Sequence, residues 1–257
     1  MYLPTSVTPE RLAHLQAISP HGLIIAADLE KGCGNLRRSD LLWSSALSVG
    51  ACEDAALARR WAFDQACLAR HSGINTVSGP VFDVPFNRRG CMVGTRALHG
   101  DPRRAGELAV AVVRGYQDAG LLPFAKHFPG FGRDHADAHI ALARCDVDRA
   151  TFEREDLEPY RRAIIDADLA GVMTGHVLAP ALDPDQPSPV SPRILTVLRD
   201  LGFAGLSITD SLTMMGIRFH VPPELLLPAV LASGHDLILG NADLPPGTEM
   251  GLIAQAV

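Results

Sequence analysis

Phe124-Ala125-Lys126-His127-Phe128-Pro129-Gly130-Phe131-Gly132 opens as an apolar run and closes on a proline and two glycines. Residues 124–128 read as a buried strand that ends in a cation and an imidazole. The Gly, His and Asp residues of 129–148 then form a long loop, with Asp137-Ala138-His139 inside it. The same arrangement recurs on either side. An apolar run at 22–28 ends in Asp28, one at 170–177 reaches His176, and one at 205–210 ends in Asp210. Further strands are expected at 75–84 and 235–240. Helices are expected between them: a short one opened by Pro9, 53–71 with Leu57, Trp61 and Leu68 on one face, and one capped by Asp101-Pro102 and stopped by Gly120. Others follow at 151–168, 192–201, 222–233 and within the last ten residues. Strand–helix alternation predicts parallel strands joined by right-handed crossovers. The polar residues gather after strand ends, which form the active face of a (β/α)8 TIM-type barrel.

The 257 residues match the length of about 250 typical of such a barrel, so one domain over 1–257 is expected. Only six strands stand out, and the loops at 85–100, 129–148 and 180–192 take up the remaining length. A 47% hydrophobic chain can bury a sizeable core. With 23 Lys and Arg against 29 Asp and Glu, the net charge of −6 offers no basic excess for nucleic acid. No apolar run reaches the roughly 18 residues of a membrane span. The start, Met1 to Leu12, lacks a basic region followed by an apolar one, so a cytoplasmic location is expected. Five cysteines at wide spacings, with no C-x-x-C, argue against a disulfide scaffold or zinc knuckle.

The Asp137-Ala138-His139 pair has a chemical reading. A carboxylate can hold an imidazole in one tautomer and poise it to carry protons near neutral pH. It also has a bland one, a solvated loop pair. His135, Asp137 and His139 together resemble a metal cluster, but the dyad reading already uses two of the three, and no metal or cofactor is expected. Asp210 could cap the turn after its strand. Lys126 could be a barrel-mouth ion pair, and His176 a satisfied core histidine outside the catalytic set. Glu153, Arg154, Glu155 and Arg161 read as a solvated helix face.

The whole string K-H-F-P-G-x-G-x4-D-x-H resembles the signature of glycoside hydrolase family 3, in particular its bacterial β-N-acetylglucosaminidases. Other segments are similar in the same order: the exit Asp28-Leu-Glu-Lys-Gly-Cys-Gly, the strand Val81-Phe-Asp-Val84, Gly94-Thr-Arg96 with Gly100-Asp-Pro102, Val172-Met-Thr-Gly-His176 and Thr209-Asp210-Ser-Leu-Thr-Met214. The likeness covers roughly 20–245. The chain departs from the pattern at Phe131 (second His), Ala138 (Ser) and Ser211 (Asp), at Ala97-Leu98, and around Arg37 and Arg38. Family members also carry about one more β/α unit before the 22–28 strand, which implies a barrel incomplete at its N-terminus.

The resemblance implies Asp210 as the nucleophile, His139 as the general acid/base and Asp137 as the partner that orients it. It implies sugar-hydroxyl ligands at Lys126, His127, Asp28 and Arg96. The expected function is retaining hydrolysis of terminal β-linked N-acetylglucosamine (or another N-acetylhexosamine), with a small carbohydrate from cell-wall turnover as the expected substrate. Retention commonly needs one nucleophile and one acid/base flanking the scissile bond. The alternatives are another β-glycosidase or a glycoside phosphorylase on the same scaffold, or a non-catalytic sugar-binding remnant.

Overall fold

The computed structural model describes residues 8–30, 43–87 and 92–240. The stretch around Arg37 and Arg38 and the expected C-terminal helix lie outside them. Tertiary contacts divide the chain into two units. The first comprises residues 1–82, 95–125 and 159–170; the second comprises 83–94, 126–158 and 171–257.

In the first unit, helix α1 (Pro9–Ile18) begins on a Thr8 cap. Strand β1 is only Ala26–Ala27, shorter than the expected 22–28. The reason is local. Gln16 bonds both backbone groups of Leu23, and the Asn75 side chain accepts from Ile25 N at 2.8 Å. Side chains thus satisfy backbone groups that a ladder would otherwise use. A short α2 (Ala46–Gly50), which the sequence did not announce, precedes α3 (Ala55–His71). Asp54 caps α3 by accepting from Ala56 N and Leu57 N, worth about 1 kcal/mol. Strand β2 (Thr76–Val81) pairs in parallel with β1, and all six of its residues are buried. Helix α4 (Pro102–Asp118) starts on Asp101 as expected and packs on α3. Small side chains allow that contact: Ala58, Ala62, Ala66 and Ala69 on α3, and Ala105 and Ala109 on α4, are buried.

Strand β3 (Leu122–Phe128) passes from the first unit to the second. At its start Leu122 N donates to Asn75 O. At its end Phe128 O accepts from Gly175 N. The second unit adds two minimal strands, β4 (Ala143–Arg144) and β6 (Val177–Leu178), which pair in parallel with each other. It also holds β5 (Gly171–Thr174) paired in parallel with β7 (Leu206–Thr209). The larger sheet runs in the order β1-β2-β3-β5-β7.

The helix expected over 151–168 is two helices, α5 (Arg149–Glu155) and α6 (Glu158–Ala167). Pro159 has no N–H for a bond four residues back, so the first helix stops and a second begins. Helix α7 (Pro192–Asp200) starts on a Ser191 cap, α8 (Met215–Arg218) follows β7, and α9 (Pro223–Ser233) ends at Gly234. The expected strand at 235–240 lies beside β7 but forms a single bridge, Ile208 to Leu237. Beyond the bridge, Leu239 N donates to the Thr209 hydroxyl instead of a carbonyl, so the ladder does not continue.

Candidate active site

The strands of the second unit bring three exits side by side. Gly175 N donates to Phe128 O at 2.8 Å, and Asp210 N donates to Thr174 O at 2.9 Å. Lys126, His127, His176 and Asp210 therefore stand at neighbouring strand ends. Lys126 and His127 are only 4% and 3% exposed, so a cation and an imidazole are held where water is scarce.

Asp210 itself is half-buried. Burial alone favours its neutral acid, yet its carboxyl lies below the usual carboxylate range. The fields of His127 and His176, the Ser211 N–H and Lys126 together outweigh the burial. The Ser211 N–H donates to Asp210 Oδ1 at 2.7 Å. A strand-end carboxylate kept ionised among cations is primed as a nucleophile. The capping bond to Ser211 is present too, so the bland and the chemical readings of Asp210 describe one geometry.

His127 is oriented by a residue the sequence reading left without a role. Its Nδ1 lies 2.7 Å from Asp83 Oδ2, and its own N–H donates to the same oxygen. The other oxygen of Asp83 accepts from Phe131 N at 3.0 Å. A carboxylate on Nδ1 fixes the proton there and leaves Nε2 for other partners. The Phe131 ring stacks on the imidazole with centroids 4.5 Å apart. Phe131 stands where the family motif has histidine, and it fills that place with a flat ring. Gly175 makes room for the stack: a Cβ there would fall 2.5 Å from the Phe131 ring and 2.8 Å from His127 Cβ.

The loop between β3 and β4 holds Asp137 and His139 as a pair. His139 Nδ1 is 2.7 Å from Asp137 Oδ1, and His139 N donates to that oxygen as well. Both side chains are largely exposed, His139 at 66%. The carboxylate accepts the Nδ1 proton, so Nε2 faces outward to take or give a proton. Two backbone bonds fasten this loop to α8, just beyond Asp210: Met215 N to His139 O and Gly216 N to Ala138 O, each 3.2 Å. Gly216 permits that approach, because a Cβ there would lie 2.6 Å from Ala138 O.

The same loop is anchored by Arg133, which bonds Asp156 at 2.8 Å and Glu155 at 2.7 Å and sits 3.8 Å above the Phe86 ring. Asp156 is buried, which pushes its carboxyl up to about 6 against the pull of Arg133. Glu155, read from the sequence as part of a solvated face, is thus an anchor for the dyad loop. His135 is exposed, with Nδ1 3.5 Å from the Asn87 side chain.

Asp28 and Arg96 belong to the first unit. Asp28 follows β1 and is half-buried. Arg96 ends a short 3-10 turn (Gly94–Arg96) and makes a two-point ion pair with Glu30, at 2.6 and 2.8 Å. The structure therefore joins Lys126, His127 and Asp210 at adjacent strand ends and pairs Asp137 with His139. Two residues that orient the site were left without a role, Asp83 and Arg133; His176, read as a core histidine, is fully buried. Asp83 had a signal in the Val81-Phe-Asp-Val84 segment; Arg133 had none, because its partners lie 22 and 23 residues away.

A parallel α/β scaffold with a carboxylate, a cation and imidazoles gathered at its strand exits places the chain among the α/β proteins that build their sites at strand ends. The sequence matches the Glycosyl hydrolase family 3 N terminal domain over residues 6–250. The chain belongs to that family. It is 34% identical over 232 residues to a beta-hexosaminidase of Pseudomonas aeruginosa, covering 89% of this chain and 68% of that one. A glycoside hydrolase family 3 beta-N-acetylglucosaminidase from Paenibacillus sp. strain FPU-7 superposes with a TM-score of 0.88 at 28% identity, covering 99% of this chain and 50% of that one. A beta-glucoside phosphorylase superposes with a TM-score of 0.91 at 25% identity, covering 100% of this chain and 48% of that one. The chain thus spans about half the length of these two solved structures.

Proposed function

We propose that the chain is a single β/α-barrel glycosidase domain that removes terminal β-linked N-acetylglucosamine with retention of configuration. The observation that carries this reading is the Asp137–His139 pair fastened by backbone bonds to the segment after Asp210. In the first step an Asp210 oxygen attacks the anomeric carbon. The bond to the leaving oxygen breaks, and His139 Nε2–H gives that oxygen its proton. In the second step neutral His139 takes a proton from water, the water oxygen attacks the anomeric carbon, and the Asp210 carboxylate departs. Asp137 stabilises the imidazolium that enters the first step and is regenerated by the second. Lys126 and His127 bind sugar hydroxyls in this reading, with Asp83 and Phe131 setting the His127 ring. Its substrates are fragments of cell-wall turnover, as in peptidoglycan recycling.

A second reading, glycoside phosphorolysis, has a specific observation behind it. The acid/base pair is a histidine backed by Asp137, so no second bare carboxylate must face the incoming acceptor. Two like charges about 4 Å apart repel by several kcal/mol at a protein surface, so a neutral imidazole admits an anionic phosphate more readily than a carboxylate does. The likeness to a beta-glucoside phosphorylase is in keeping with it.

Nitrophenyl glycosides test both readings. The protein should release nitrophenol from the N-acetyl-β-glucosaminide faster than from the β-glucoside, and Asp210→Ala should abolish release. Wild-type rates in Asp210→Ala would overturn the assignment. Appearance of the sugar 1-phosphate on adding phosphate would select the phosphorylase.

A further inference from the structure

His176 is a fully buried histidine beside Asp210 to which the proposed mechanism gives no task. Its Nε2 lies 2.8 Å from the carbonyl oxygen of Ser211, the residue after the nucleophile. A carbonyl only accepts, so Nε2 carries the proton. Nδ1 is buried and has no hydrogen-bond partner among the described residues. A second proton on Nδ1 would be a buried donor with nothing to accept it, which is costly. The ring is thereby held as a neutral, one-way donor, and burial keeps its pKa below the usual histidine range against the pull of Asp210 and the Ser211 carbonyl. The other charged or titratable groups acting on it are His127 and His139.

The backbone of the same residue reaches the other half of the machinery. His176 O accepts from Ala143 N at 3.3 Å, where β4 ends the loop that carries Asp137 and His139. The Ser188 hydroxyl clamps the chain on both sides of His176, donating to Gly175 O at 2.5 Å and lying 3.1 Å from Val177 O. Val177 N also donates to Ser188 Oγ at 3.4 Å. One residue thus holds the Asp210 turn through its ring and the dyad loop through its carbonyl.

We propose that His176 is a positioning residue that keeps the Asp210 carboxylate in register with the His139 loop, through its Nε2–H bond to the Ser211 carbonyl. The proposal rests on the glycosidase reading above. It predicts that the donor matters and the imidazole itself does not. Glutamine can place an N–H near the same carbonyl; leucine fills similar space without a donor.

The test compares wild type, His176→Gln and His176→Leu in kcat, KM and the pH profile, with thermal melting to confirm folding. A misplaced reacting group costs on the order of 100-fold in rate. We expect kcat of His176→Leu to fall about 10- to 100-fold with KM little changed, and the acid limb of its profile to move to higher pH. His176→Gln should recover kcat to within about threefold of wild type. A folded His176→Leu with wild-type kcat and acid limb overturns the proposal, as does a folded His176→Gln no better than His176→Leu. Imidazole 15N shifts give a readout independent of turnover. At pH 8 His176 should be a neutral ring protonated on Nε2, and a ring protonated on Nδ1 alone overturns the proposal even if the leucine variant fails to fold. Turnover that survives Asp210→Ala would instead remove the glycosidase reading, so the two failures are distinguishable.

Discussion

Asp137 and His139 act as a unit because one carboxylate oxygen receives both the backbone N–H and the ring Nδ1 of the histidine. Asp137→Ala frees the ring and removes the charge that stabilises its imidazolium. General acid–base contributions of about 10²- to 10⁴-fold set the scale of the loss. The loss should be greatest for substrates with poor leaving groups, which need the proton, and least for dinitrophenyl glycosides, which do not. Rates across a series of aryl leaving groups check this, and an equal loss across the series would contradict an acid role for His139. This residue-scale chemistry was partly legible. The spacing of Asp137 and His139 announced a dyad. The environment of Asp210 did not show, because it depends on Lys126 and His127, more than eighty positions away in sequence.

At the scale of elements, the dyad loop is held by Arg133 on Asp156 and Glu155 and by α8 on Ala138 and His139. Arg133→Ala strands the buried Asp156 carboxylate. Breaking such a buried pair costs about 3 kcal/mol when the remaining group stays charged. The Asp156 carboxyl sits at about 6 with Arg133 present, and losing the cation raises it further. The stability lost should therefore be larger at pH 8, where the group must ionise, than at pH 5, where it is protonated. Urea unfolding of both proteins at the two pH values tests this; equal losses would contradict it. Most elements could be read from the sequence because caps and periodicity are local: Asp101 with Pro102 began a helix as expected, and Ser191 capped another. The errors came from tertiary competition. Side chains of Gln16 and Asn75 shortened β1, and the Thr209 hydroxyl interrupted the 235–240 ladder. Strands β4 and β6 are two residues each and exist only because they meet each other, so no periodicity could show them.

At the scale of the whole molecule, the unfolding equilibrium carries a signature of His235. Its ring lies between the Thr174 and Ser233 hydroxyls, at 2.9 and 2.8 Å. Burial brings its pKa down to about 4, with Arg199 adding to the effect and Asp236 opposing it. The unfolded ring takes up its proton near 6.5, so this group's contribution is full above that pH and is lost as pH falls toward 4. By pH 4.5 the loss is about 2–3 kcal/mol. The drop in stability from pH 7 to 4.5 should therefore be smaller by that amount in His235→Gln than in the wild type. Denaturant titrations at the two pH values would refute this if both proteins fell equally.

The central claim is that Asp210 forms a covalent bond to the sugar. A 5-fluoro-N-acetylglucosaminyl fluoride tests it most directly, because fluorine slows both steps while fluoride still leaves readily. Mass spectrometry of the intact protein should then show one added fluorosugar, and peptide mapping should place it on Asp210, with no adduct in Asp210→Asn. An adduct on another residue, or one that persists in Asp210→Asn, would contradict the account.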